Sequence, residues 1–126
     1  MATDARIELD WADGTHVFRL AIGQLAELQD KTNAGPLVLF ERLRTGSWRI
    51  EDITNTIRLG LMGGGMPPVD ALKKVRTYVE DRPWTENVPT AMMVLMAALY
   101  GAPEDDSGNV AAAEPEIAST ISPTAG

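Results

Sequence analysis

"RIELDWADGTHVFRLAI", from Arg6 to Ile22, decides that this chain is not purely helical. Apolar and polar residues alternate on both sides of Asp13-Gly14, and an Asp-Gly pair favours the type I′ turn of a β-hairpin. With Asp13 and Gly14 as the loop, Glu8 meets Arg19 on one face, and the other face holds only apolar or aromatic pairs: Trp11 with His16, Leu9 with Phe18, and Ile7 with Leu20. The sequence therefore predicts a hairpin over residues 5–22 whose apolar face packs against other elements.

Beyond the hairpin, apolar residues recur every three or four positions, which is typical of short amphipathic helices. Glycine and proline separate these segments, and we predict helices over residues 23–32, 36–45, 48–62, 68–81 and 86–100. Ser47 is the expected N-cap of the third helix. Ile22, Leu25 and Leu28 lie three apart at the start of the first helical segment. The apolar stripe of the fourth helix is Val69, Leu72, Val75 or Arg76, and Val79, with Lys73 and Lys74 outward. The predicted fold class is α+β, mainly α, with an N-terminal β-hairpin followed by about five short helices in a single globular domain over residues 5–101.

Charge is distributed unevenly along the 126 residues. The net charge is −7, and residues 102–126 hold five acidic residues and no basic one. That segment has too few apolar residues to offset the entropy of ordering, so we expect a disordered acidic tail. The rest of the chain has no basic footprint for nucleic acid, and its longest charge-free apolar run is about half of what a bilayer span needs. We expect neither a nucleic-acid nor a membrane partner.

No set of residues suggests catalysis. The chain has no cysteine and one histidine, His16, so no cysteine or second histidine can complete a zinc site, and no nucleophile–base–acid set suggests itself. "GLMGGGMPP" lacks the lysine and hydroxyl residue that must follow the glycines of a phosphate-binding loop. We expect no catalytic, cofactor-binding or metal-binding residue. Gly63, Gly64 and Gly65 are interpreted as a linker between helices that could act as a hinge.

The fifth helix raises a question that the sequence leaves open. "TAMMVLMAALYG", from Thr90 to Gly101, has no charged residue and is apolar on nearly every side. Either this helix is central and covered all round, or its second face, with Met93, Met96 and Tyr100, lines a surface for a partner. Methionine is flexible and polarizable, and it recurs on surfaces that accept varied apolar helices. The candidate partner-binding residues are Met92, Met93, Met96, Tyr100, Leu61 and Met62.

The segment "FRLAIGQLAELQDKTNAGPLVLFERLRTGSWRIEDITNTIRLGLMGGG", residues 18–65, resembles a family of small proteins from the tail clusters of gene transfer agents. These agents are phage-like particles of alphaproteobacteria that package host DNA. The family is grouped with phage tail assembly chaperones and is also named as phage tail tube protein. The resemblance covers about residues 7–100 and brings no functional residues with it.

The resemblance implies a role in tail morphogenesis. A tail assembly chaperone would bind apolar helices of the tape-measure protein in the cytoplasm, without a cofactor. Other tail proteins are further partners that it implies, and a homo-oligomer stays open. The alternative is a structural tail or tube component that is retained in the phage-like particle. A helical DNA-binding regulator is a third reading, for which the fourth helix offers only Lys73, Lys74 and Arg76.

Overall fold

A computed structural model describes residues 4–102, and it confirms the predicted fold class. A two-stranded antiparallel hairpin precedes five α-helices, with a π-helical turn after α4 and a 3-10 turn before α5. The elements are β1 (Arg6–Trp11), β2 (Gly14–Arg19), α1 (Ile22–Thr32), α2 (Pro36–Thr45), α3 (Ile50–Gly63), α4 (Pro68–Val75), the π turn (Arg76–Glu80), the 3-10 turn (Trp84–Asn87) and α5 (Val88–Tyr100). The predicted disordered tail lies outside the described residues, except for Ala102, which is buried.

The hairpin forms, but its predicted register is wrong by two residues. The loop consists of Ala12 and Asp13, with Ala12 at a positive φ of 59°. Trp11 faces Gly14 instead of His16, and Arg19 faces Arg6 instead of Glu8 (full pairing: Arg6 with Arg19, Ile7 with Phe18, Glu8 with Val17, Leu9 with His16, Asp10 with Thr15, Trp11 with Gly14). A shift of two positions leaves every side chain on its own face, so the apolar alternation fits both registers equally.

The side chain of Asp13 holds the observed loop against α4. Its carboxylate lies 2.8 Å from Nε2 of His16 and accepts a 2.6 Å hydrogen bond from Nζ of Lys74 on α4. The hydrogen bond from Lys74, and secondly that from His16, lowers the pKa of Asp13 from 3.8 to about 2. The loop is therefore fastened to α4 through Asp13.

Helix α3 is the central element of the fold. It packs against β2, α1, α4 and α5, and it contributes more buried side chains than any other helix of the described chain. Its end lies against the backbone of β2. A Cβ atom on Gly63 would overlap the carbonyl oxygen of Arg19, and one on Gly64 would overlap that of Val17. Only glycine permits this approach of helix to strand.

A buried polar cluster joins the ends of α1, α2 and α3. Asp52 is fully buried, and its carboxylate accepts hydrogen bonds from Nη1 of Arg42 at 3.2 Å and from the backbone N–H of Arg49 at 2.9 Å. The guanidinium groups of Arg42 and Arg49 also donate to the carbonyl oxygen of Thr32, the last residue of α1. These bonds satisfy polar groups that helix ends leave without partners. Because Asp52 caps the helix, α3 begins at Ile50, and the predicted start at residue 48 with Ser47 as N-cap is wrong.

The predicted fourth helix is interrupted, and its apolar stripe is partly wrong. The α-helix ends at Val75 and continues as a π-helical turn, whose Tyr78 carbonyl accepts a 2.9 Å hydrogen bond from Nδ2 of Asn87. The predicted core residues Val69 and Leu72 are exposed. The buried positions of this segment are Ala71, Val75 and Val79.

Asn87 also anchors the hairpin. Its Oδ1 accepts a 2.6 Å hydrogen bond from Nε1 of Trp11, and Asn87 itself is buried. The Trp11 ring makes edge-on contacts with His16, Phe18 and Tyr78. Asn87 is the last residue of the 3-10 turn over residues 84–87. Helix α5 begins after it, at Val88 rather than at the predicted residue 86.

We expect Gly63→Ala and Gly64→Ala each to lower the free energy of unfolding by about 1–3 kcal/mol, because the new methyl group meets a strand carbonyl. Urea unfolding followed by circular dichroism measures this. Gly23→Ala in α1 is the matched control, since its Cβ would meet nothing within 4 Å, and it should leave stability equal or higher. Full stability of both Gly63→Ala and Gly64→Ala would contradict the close approach.

The Asp13–Lys74 contact predicts a pH dependence. The folded pKa of Asp13, about 2, lies below its ordinary value of 3.8, so the contact stabilises the fold fully above about pH 5 and is lost as the pH falls through 2. Between pH 5 and pH 2, the urea midpoint of the wild type should fall more steeply than that of Lys74→Met. Parallel midpoint curves for the two proteins would show that Asp13 and Lys74 are not coupled.

Candidate partner-binding surface

Helix α5 lies at the surface of the domain. Its inner face packs against α3, α2 and the hairpin. The side chains that it buries are Ala91, Val94, Leu95 and Ala97. Val94 is close enough to α3 that a Cβ atom on Gly60 would lie 3.1 Å from its Cγ1. The reading in which α5 is central and covered all round is therefore wrong, because α3 takes that place.

The outer face of α5 is exposed and apolar. Met93 is 43% exposed, Met96 47% and Tyr100 62%. Pro89 is also exposed and lies one turn before Met93. These four residues, at helical positions i, i+4, i+7 and i+11, share one face that runs for about 17 Å, and we call them the apolar stripe. No residue of α5 is charged.

The other predicted partner-binding residues lie elsewhere. Met92 is partly buried, where α5 meets the core. Leu61 is 1% exposed, so it belongs to the core and not to the surface where the sequence placed it. Met62 is also partly buried, and its Sδ lies 3.5 Å from Nη1 of Arg58. The central position of α3 explains the burial of Leu61 and Met62.

Ile22 is an exposed apolar residue at the first position of α1, three residues before Leu25. It is 83% exposed, and it lines an open pocket of about 610 Å³ together with Leu99 and Tyr100 at the end of α5. Residues three apart on a helix drift by about 60° around its axis at each step. Leu28 is buried, Leu25 is half-buried and Ile22 faces outward, as that drift requires. The drift was the signal available in the sequence.

The glycines between α3 and α4 have a structural use that the sequence did not reveal. Gly63 and Gly64 fit against β2, and Gly65 has a φ of 113°, which side chains rarely adopt. Glycine in these places serves close packing and a tight turn. The hinge stays a prediction, and alanine substitutions here would disturb packing as well as flexibility.

A second open pocket, of about 600 Å³, lies between β2, the glycine segment and α4. Its polar side chains include His16, Asp70, Lys73 and Lys74, and Lys74 is bonded to Asp13. Within residues 4–102, no group of three or more histidine or acidic side chains is arranged to hold a metal ion. None of the helices described is long and apolar enough to cross a membrane.

Comparison with known proteins assigns the chain to a family. A family model described as "Phage tail tube protein, GTA-gp10" matches residues 4–101, which is the whole hairpin and all five helices. The chain belongs to this family. The match confirms the resemblance to gene transfer agent and phage tail proteins. No curated protein and no solved structure matches the chain.

Membership of this tail protein family gives the apolar stripe a context. The matched residues include every member of the stripe, together with Ile22. The family is tail-related, and it fits a phage-like particle. An exposed apolar helix face on such a protein is the strongest candidate for contact with another tail protein.

We expect Met96→Asp and Met93→Asp to leave the domain folded, at a cost of less than about 1 kcal/mol, because both side chains are exposed. Leu95→Asp is the matched control on the buried face and should unfold the domain, since it would bury an unpaired carboxylate. Thermal melts followed by circular dichroism measure both effects. Unfolding by Met96→Asp would place the stripe in the core.

Proposed function

We propose that this protein is a tail assembly chaperone that binds apolar helices of the tape-measure protein during tail morphogenesis. The observation that carries the proposal is the apolar stripe, with Met93, Met96 and Tyr100 between 43% and 62% exposed on a helix without charge. The chaperone acts in the cytoplasm before the tail is complete. It requires neither a catalytic step nor a cofactor.

The dimensions of the stripe suit a helical partner. A face about 17 Å long matches about three turns of a second helix, which would present apolar residues at positions i, i+3 or i+4, and i+7. Methionine side chains adapt to partners of different shape, and a stripe without charge imposes no desolvation penalty on them. Such a surface would select a partner helix by its apolar character rather than by a particular sequence.

Weak contacts suffice for this role. A single small surface gives modest affinity, but several chaperone molecules along one long tape-measure chain would cover it together. Any self-association of the chaperone would add avidity. The net charge of −7 supports solubility of the resulting complex.

The second candidate is a structural tail component that stays in the particle. The family's description as a tail tube protein favours it. Tubes are usually built from long strands that join into a β-rich ring, and the described part of this chain has two strands of six residues each. The short hairpin and the exposed helix lead us to rank the chaperone first.

Co-expression with the tape-measure protein of the same tail tests the proposal. Wild type should keep the tape-measure protein soluble and co-purify with it, and Met93→Asp with Met96→Asp should reduce the co-purified amount at least about tenfold, because carboxylates oppose apolar burial. Val69→Asp is the matched control, since Val69 is an exposed apolar residue on α4, outside the stripe. Equal loss with Val69→Asp, or no co-purification by wild type, would contradict the proposal.

Mass spectrometry of purified particles separates the two candidates. A chaperone leaves the tail, so its peptides should fall well below one copy for each tube ring. A stoichiometric amount in the particle would establish the structural role instead.

A further inference from the structure

The hairpin has two outer edges, one on β1 and one on β2, and they differ in how far other elements cover their backbone groups. Trp11 and Gly14 flank a two-residue loop, so they form a hydrogen-bonded pair, and such pairs then alternate along the ladder. It follows that the backbone N–H and C=O groups of Arg6, Glu8 and Asp10 point away from β2.

The outer edge of β2 is covered by α3. Gly63 and Gly64 lie directly against the carbonyl groups of Arg19 and Val17. Both carbonyls point outward, as the alternation of the ladder requires. Covering an edge strand is a common way to prevent unwanted strand pairing.

The outer edge of β1 keeps some backbone groups without a hydrogen-bond partner among the described residues, although α5 also packs against this strand. The backbone N–H of Arg6 donates to Oδ1 of Asp4 at 3.2 Å, but within residues 4–102 no hydrogen bond reaches the outward backbone groups of Glu8 or Asp10. Arg6, Glu8 and Asp10 are all exposed. An edge with such groups is a template for the addition of another strand.

Side chains beside this edge define what an added strand would meet. On the inner face Ile7 and Leu9 are only partly buried against the core, so apolar area remains for a neighbour to cover. On the outer face Arg6 is basic while Glu8 and Asp10 are acidic, and Asp10 accepts a 2.7 Å hydrogen bond from Thr15. Lysine or arginine opposite these carboxylates would be favourable, and acidic residues would be repelled.

We propose that the β1 edge binds an extended segment of a partner protein in which apolar residues alternate with lysine or arginine. A second copy of this chain is the less favourable occupant, because the antiparallel register that pairs Arg6 with Asp10 of the other copy also places Glu8 opposite Glu8, whereas lysines of a partner would face Glu8 and Asp10 without a like-charge pair. The surface is separate from the apolar stripe, which takes a helix. The proposal therefore stands independently of the chaperone role.

A capped peptide, Val-Lys-Val-Lys-Val, is the probe, and its acidic counterpart Val-Glu-Val-Glu-Val is the control. Titration into the ¹⁵N-labelled full chain should shift the backbone amide resonances of Glu8 and Asp10 saturably. The acidic peptide should produce no such shift. Absence of saturable shifts with the lysine peptide at millimolar concentration, or equal shifts with both peptides, would overturn the proposal.

Two variants test the mechanism of binding. Glu8→Pro removes an N–H that the β1–β2 ladder does not use, and edge strands tolerate proline, so the hairpin should persist while affinity falls about tenfold. Glu8→Lys keeps the N–H and reverses the charge, so preference should move towards the acidic peptide. Unchanged affinity in a folded Glu8→Pro, or unchanged preference in Glu8→Lys, would overturn the proposal. Neither result depends on the tape-measure experiment.

Discussion

The contact between the glycine end of α3 and the backbone of β2 is the constraint on which the remaining structure depends. It brings a helix closer to a strand than any side chain would allow, and it places the hairpin over the end of α3. With the hairpin at its end and α1 and α4 also packed on it, α3 becomes the centre of the core. Helix α5 then packs with one face only, and its apolar outer face stays exposed.

The segment that carries the family resemblance has a structural explanation for its charged residues. In "ERLRTGSWRIEDI", Arg42 and Arg49 converge on the last carbonyl of α1, and Asp52 accepts hydrogen bonds from both residues. Removing one partner from such a buried group would leave polar atoms without hydrogen bonds in the core. The charged residues of this segment therefore serve the contact between the ends of α1, α2 and α3. The candidate binding residues lie on α5 and β1.

Local features of the fold were predictable from the sequence, and features that depend on distant partners were not. Pro36 and Gly46 mark the bounds of α2, which the structure matches, and the hairpin follows from alternation. The alternation of apolar side chains fits two registers, and the contact of Asp13 that accompanies the observed one involves Lys74, far along the chain. From the sequence, Gly63 to Gly65 are interpreted as a flexible linker because β2, the strand that Gly63 and Gly64 contact, is distant from them in the sequence. Likewise, the exposure of Met93 and Met96 depends on which of the five helices is central, and the sequence does not single one out.

The order of the elements along the chain has a consequence for synthesis. A ribosome completes the hairpin well before it reaches Gly63 and Gly64, so the outer edge of β2 stays uncovered while α1, α2 and most of α3 are made. Uncovered strands in a nascent chain are sites of misassociation. The hairpin is marginal alone, and it gains its stabilising surface only when α3 has emerged. The sheet therefore becomes stable only when the helix that covers its edge is present.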